Sequence, residues 1–204
     1  MKKKVQFLRG AVFAAILFAA VLSCGGGGDG GDSPNLLGAG WTPEYAIGDT
    51  GPGGGKIFYV SAAGFPSNGK TCHYLEANGG ADLGPLPWAT EAYKSINIAG
   101  ALGWDIGMGY ANTTAITTVD PGATAARACK NYNDGGLNDW FLPSRDELNE
   151  LYLHKNVIGD SIQTYWSSTH SLPENALIDR FNIGGNIVAA VKTEQHSVRA
   201  IRAF

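Results

Sequence analysis

From residue 25 to 35 the chain reads Gly-Gly-Gly-Gly-Asp-Gly-Gly-Asp-Ser-Pro-Asn, and no core can be built from it. Glycine loses the most conformational freedom on ordering, and this run has no apolar side chain whose burial could compensate. Any folded unit must therefore begin after it. As a Gly-rich coil the run is a flexible tether spanning roughly 18 Å on average. Upstream lie Lys2, Lys3, Lys4 and Arg9, then an apolar stretch from Ala11 to Leu22. That stretch is short for a membrane span. A basic head, an apolar middle and a small residue at the junction make a cleavable export signal.

The junction itself reads Val21-Leu22-Ser23-Cys24, which resembles the bacterial lipobox. The resemblance implies cleavage before Cys24 and lipidation of its sulfur and new N-terminus. Three segments are expected: a signal peptide over 1–23, a lipidated cysteine and tether over 24–46, and a folded domain over 47–204. The membrane is then a partner through acyl chains, and stable anchoring takes more than one of them. All 18 acidic residues but only 11 of the 15 basic ones follow the signal, a net charge of −7. Nucleic acid is not an expected partner, because a generic binder needs a basic face. The protein is expected in the cell envelope, at the outer membrane or cell surface. Its oligomeric state is open.

With Cys24 modified, Cys72 and Cys129 remain. Export to an oxidising compartment predicts a disulfide between them. Its loop of about 58 residues would contribute roughly 4 kcal/mol in the chain-entropy picture. Two buried free thiols are the alternative.

Lys56–Val60 and Cys72–Ala77 read as strands flanking a Gly, Pro and Asn loop. Residues 78–121 lack periodic apolar positions and are expected to be irregular, with a helical turn near 112–117. Ala125, Ala128, Cys129 and Tyr132 fall at helical spacing, and Gly135-Gly136 stops that helix. A second helix opens at Ser144, where Ser144 and Glu147 match a capping box. Leu148, Leu151 and Tyr152 are its buried stripe. Strands are predicted over 165–168, 176–182, 187–191 and 197–204, with a Gly184-Gly185 hairpin turn and a bulge in the last strand.

Gly64–Thr71 fits the P-loop pattern, but a strand rather than a helix follows it, so a hairpin loop is expected there. Asn131 to Asp139 is rich in oxygen ligands without EF-hand spacing, which turn chemistry explains. No histidine pair stands at metal-ligand spacing. No metal and no cofactor is expected, and no catalytic residue is assigned. Trp140, Trp166 and Phe204 are expected in the core, whereas Trp41, Trp88 and Trp104 lie in loop-like stretches.

Several segments together resemble one family. They are Asp139-Trp-Phe-Leu-Pro-Ser-Arg-Asp-Glu-Leu148, Tyr165-Trp-Ser-Ser168, Ser197-Val-Arg-Ala-Ile-Arg-Ala-Phe204, Gly48-Asp-Thr-Gly-Pro-Gly-Gly-Gly-Lys-Ile-Phe58 and Tyr74-Leu-Glu-Ala77. The chain resembles the Lcl C-terminal domain family over roughly residues 47–204. The resemblance implies an α+β, C-type-lectin-like fold: two helices and small antiparallel sheets supporting a long irregular loop region. Wider relatives include formylglycine-generating enzymes and the variable proteins of retroelements. Pro173-Glu174-Asn175 and Asn138-Asp139-Trp140 are scrambled relative to the calcium-lectin motifs, so calcium-mediated sugar binding does not follow.

The function expected is a non-catalytic binding or adhesion module for a protein or glycan. Contact candidates are Trp88, Trp104, Tyr110, His170, Asn175 and Arg180. The alternatives are a structural envelope lipoprotein without a small ligand, and an enzyme related to the formylglycine-generating group.

Overall fold

The computed structural model describes residues 41–80, 82–159 and 163–204. The export signal, Cys24 and the glycine tether lie outside the described residues.

The elements run β1 (Lys56–Ser67), β2 (Lys70–Ala77), β3 (Pro85–Pro87), α1 (Gly109–Val119), α2 (Thr124–Asn131), α3 (Arg145–Leu153) and α4 (Lys155–Ile158), then β4 (Thr164–Leu172), β5 (Asn175–Arg180), β6 (Asn186–Val191), β7 (Gln195–Ser197) and β8 (Ile201–Ala203). They make an α+β fold with two sheets. A three-stranded sheet runs β1-β2-β8, and a five-stranded one runs β3-β7-β4-β5-β6. Pairing is antiparallel except for a single parallel bridge, Tyr165 with Ser197, between β4 and β7.

The P-loop-like stretch is the β1–β2 hairpin. Ser67 pairs with Lys70, leaving a two-residue turn of Asn68 (φ 49°) and Gly69 (φ 71°). Two left-handed residues match the right-handed twist of the strands, and Asn-Gly is the pair that adopts them most readily.

Two apolar clusters form the core. One holds Trp88, Trp140, Trp166, Ile116, Cys129, Ile178 and Val198. The other holds Phe58, Cys72, Leu75, Phe141, Leu148, Leu151, Tyr165 and Ile201. The single C-terminal strand expected over 197–204 is in fact two. Val198 packs in the first cluster and Ile201 in the second, so the chain leaves one sheet as β7 and joins the other as β8. The three-residue apolar spacing reflects that crossing rather than a bulge.

The same division separates the cysteines. Cys72 on β2 and Cys129 on α2 are free thiols buried in different clusters, and the expected disulfide is not formed. Burial pushes both thiols up in pKa, so neither is a ready thiolate.

The capping box is present in full. The Ser144 hydroxyl accepts from the Glu147 amide at 3.3 Å, and the Ser144 amide donates to Glu147 Oε2 at 2.7 Å. The hydroxyl also donates to the Asp105 carbonyl at 2.9 Å. Ser144→Ala therefore removes a cap and one of the two donors to the Asp105 carbonyl, which keeps the Met108 amide at 3.2 Å. Urea unfolding should show a loss of about 1–2 kcal/mol.

Candidate functional site

The region expected to be irregular except for a helical turn near 112–117 contains a longer helix, α1, that includes this turn. Its inward residues are Gly109, Asn112, Thr113 and Ile116, at i, i+3, i+4 and i+7. The spacing is helical, but three of the four are not large apolar residues. Hydrogen bonds hold this face instead. Asn112 Nδ2 donates to the Gly103 carbonyl at 2.7 Å, and Asn112 Oδ1 accepts from the Gly103 amide at 3.2 Å. The Thr113 hydroxyl donates to the Leu142 carbonyl and accepts from the Leu142 amide, at 3.2 and 3.0 Å.

The outward face of α1 borders an open groove of about 490 Å³. Its lining is Asn68 and Gly69 at the hairpin tip, Gly100 in a 3₁₀ turn, and Tyr110, Ala111, Thr114 and Ala115 on the helix. Small residues create this space. A Cβ on Gly100 would stand 2.7 Å from that of Ala115. The Thr114 hydroxyl is turned to the helix, donating to the Tyr110 carbonyl at 2.9 Å. No charged side chain lines the groove, so its chemistry is a tyrosine ring with its hydroxyl, small apolar surface, one threonine and one amide.

The six contact candidates are not brought together. Tyr110 lines the groove and meets Phe141 edge-on at 5.9 Å between ring centroids. Trp104 is 49% exposed, with the Arg145 guanidinium 4.6 Å over its ring. Trp88 is fully buried and its indole donates to the Ser167 carbonyl at 2.9 Å, so it pins its loop and faces no solvent. His170 is also buried. Its ring nitrogens lie 3.2 Å from the Asn175 carbonyl and 2.9 Å from Asn97 Oδ1, and burial together with Lys192 lowers its pKa. Trp88 and His170 are therefore corrected to scaffold. Asn175 and Arg180 are half-buried at opposite ends of β5. Sequence reasoning named Tyr110 but missed Asn68, Gly69, Gly100 and the rest of the α1 surface. The Asn-Gly turn was the available signal for one wall; the polar inner face hid the other.

Lys192 is the most unusual charge in this region. It is fully buried, donates to the Ile96 and Pro173 carbonyls at 2.8 and 2.7 Å, and lies 4.9 Å over the Trp88 ring. Burial pulls its pKa down to about 8. A depressed folded pKa penalises the charged form, so stability rises as pH climbs from about 8 to the ordinary value of 10.5. Lys192→Met should flatten that rise in urea titrations at pH 8 and 10. An unchanged slope would show that Lys192 does not cause it.

The acidic residues after α2 are engaged locally. Asp134 accepts from the Tyr132 hydroxyl and the Gly135 amide, and both Asp139 oxygens accept from Arg202. Among the described residues no group of three His, Cys, Asp or Glu side chains is placed to hold a metal ion.

No family model and no curated protein matches this chain. The crystal structure of a fimbrial protein from Bacteroides ovatus does resemble it, with a TM-score of 0.50 and 16% sequence identity over 74% of the chain. The chain spans 44% of that protein's length. At this identity the likeness concerns fold alone.

Proposed function

We propose that this chain is a lipid-anchored envelope protein whose folded domain is a non-catalytic binding module. The groove beside α1 receives an apolar segment of a protein ligand. The observation that carries this reading is the lining: one aromatic ring, small side chains and no charge around an open space of about 490 Å³. A sugar site needs more convergent polar groups than Asn68 and the Tyr110 hydroxyl supply, the Thr114 hydroxyl being turned to its own helix. The resemblance to the Lcl C-terminal domain family supports a C-type-lectin-like scaffold that presents such a surface. A structural neighbour named as a fimbrial protein supports placement at the cell surface. Anchoring rests on the lipobox resemblance at Cys24.

Thr114 is exposed on the groove wall, so Thr114→Arg should fill the space without unfolding the domain. Envelope-protein pull-downs and a glycan array, run with wild type and Thr114→Arg, test the reading. A protein ligand captured by wild type and lost in the variant is expected. Glycan binding that survives Thr114→Arg would refute the groove. Anchoring is tested separately by fatty-acid labelling of wild type and Cys24→Ala, where equal incorporation would refute lipidation.

A further inference from the structure

We propose that the face at the root of the tether, formed by residues 41–47 and the α3–α4 junction, rests on the bilayer that holds the lipid anchor. The inference rests on the anchoring proposed above. Residues 41–47 are pinned to the three-stranded sheet by rings. Trp41 stacks on His73 at 5.1 Å between centroids, and Tyr45 meets Tyr74 and Phe204 edge-on at 5.4 and 5.7 Å. The Tyr74 hydroxyl accepts from the Glu44 amide at 2.7 Å. The tether therefore joins the domain at a fixed point.

Beside that point the domain exposes apolar side chains. Ile47 is 43% exposed, Val157 39% and Leu153 61%, the last being the most exposed large apolar side chain among the described residues. A Cβ on Gly48 would stand 3.3 Å from Val157 Cγ1, so Ile47 adjoins Val157, and Leu153 lies four residues before Val157 across the α3–α4 junction. Trp41 and Tyr45 are half-buried, and such amphipathic rings settle at the level of lipid headgroups. The charges on residues 41–49, at the start of β1 and on α4 are Glu44, Asp49, Lys56 and Lys155, two of each sign. This face is thus spared the repulsion that a net charge of −7 meets at an anionic bilayer.

The bilayer is the occupant that the tether selects. Cys24 stands 17 residues before Trp41, a span of roughly 23 Å for a Gly-rich coil. A folded partner of about 100 residues is roughly 30 Å across, so it does not fit between this face and the membrane at that separation. Lipid is always within reach. The groove beside α1 agrees with this orientation. At the start of β1 the Gly48 amide donates to the Ile57 carbonyl at 2.9 Å, whereas the groove takes Asn68 and Gly69 at the far end of the hairpin. Ile57 pairs with Glu76 and Ser67 with Lys70, so the two ends are separated by roughly 20 Å of β2. With the patch on lipid, the groove is held away from it.

The test uses the full chain reconstituted into vesicles of phosphatidylethanolamine and phosphatidylglycerol, with flotation reading attachment. Single nitroxide labels are placed at Leu153→Cys, at Val157→Cys and, as control, at Thr118→Cys on the exposed face of α1. Cys72 and Cys129 are buried, and the unsubstituted chain measures their background. Electron paramagnetic resonance then compares relaxation by oxygen, which concentrates in lipid, with relaxation by a water-soluble nickel chelate. Oxygen should act more strongly at 153 and 157, and the chelate more strongly at 118. A chain that does not float would overturn the anchoring and this inference with it. In a chain that floats, labels at 153 and 157 open to the chelate would overturn this inference alone. So would labels there shielded from both reagents, which would mean cover by protein, or oxygen dominant at all three positions, which would mean no preferred face.

Discussion

Replacing Arg202 with Met should lower the unfolding free energy by about 3–5 kcal/mol, because it strands a charge in the interior. Glu76 is fully buried. Its carboxylate accepts from Arg202 Nη1 at 3.1 Å and from the amides of Gly53 and Gly55 at 3.1 and 2.7 Å. Arg202 in turn holds Asp139 with Nε at 2.9 Å and Nη2 at 3.1 Å. One guanidinium therefore joins β2, β8 and the segment before α3. The neighbouring glycines depend on the same geometry. A Cβ on Gly53 would stand 2.6 Å from the Trp140 ring, and one on Gly51 would stand 2.6 Å from the Glu76 carboxyl carbon. The Gly-Pro-Gly-Gly-Gly run is thus the close wrapping of backbone around a buried carboxylate. Adding Glu76→Gln to Arg202→Met should recover part of the loss, since a neutral amide has no charge to strand. Urea denaturation of the three variants measures this. A loss below about 1 kcal/mol in Arg202→Met would mean that water reaches Glu76 after all.

Local rules were legible wherever backbone chemistry decides the structure. Ser144 and Glu147 announced a helix start because their side chains satisfy amides that the helix leaves open. Gly184 and Gly185 announced the β5–β6 turn, and both have positive φ. Of α1 only a turn near 112–117 was legible, since helix reading looks for apolar periodicity and its inner face is Gly109, Asn112, Thr113 and Ile116. The C-terminal crossing was hidden for another reason. Val198 and Ile201 both look like one strand's apolar face until the two clusters they enter are known.

The candidate site was less legible than the fold. Tryptophan in a loop-like segment signals either a contact surface or a buried pin, and the residues alone do not separate them. Trp104 and Trp88 show both outcomes within one stretch of chain. What decides is whether a carbonyl waits inside for the indole, as Ser167 does for Trp88. The groove is a surface of absences, made by Gly69, Gly100, Ala111 and Ala115. Small residues give no positive signal in sequence, so this wall emerges only when hairpin and helix are placed side by side.

The second large effect belongs to Glu147. It is fully buried, and its carboxyl receives the Ser144 amide at 2.7 Å and the Gly107 amide at 2.8 Å. Those donors favour the anion, but burial outweighs them and pushes the pKa up from 4.5 to about 7. Because the folded pKa is raised, the native state binds more protons than the unfolded chain between these two values. The contribution of this group to stability is then highest below about pH 4.5, falls as pH rises towards 7, and levels off above it. At 1.36 kcal/mol per pKa unit, the fall attributable to this group is about 3 kcal/mol. Asp179, pushed up to about 6 by burial, adds a decline in the same direction. Glu147→Gln separates the two, since a glutamine resembles the protonated carboxyl and does not titrate. Its stability should be near that of wild type at pH 4.5. At pH 7.5 it should exceed wild type by about 3 kcal/mol, with Asp179 contributing equally to both proteins. Parallel pH profiles for the two would show that Glu147 is ionised throughout, held so by its two amide donors.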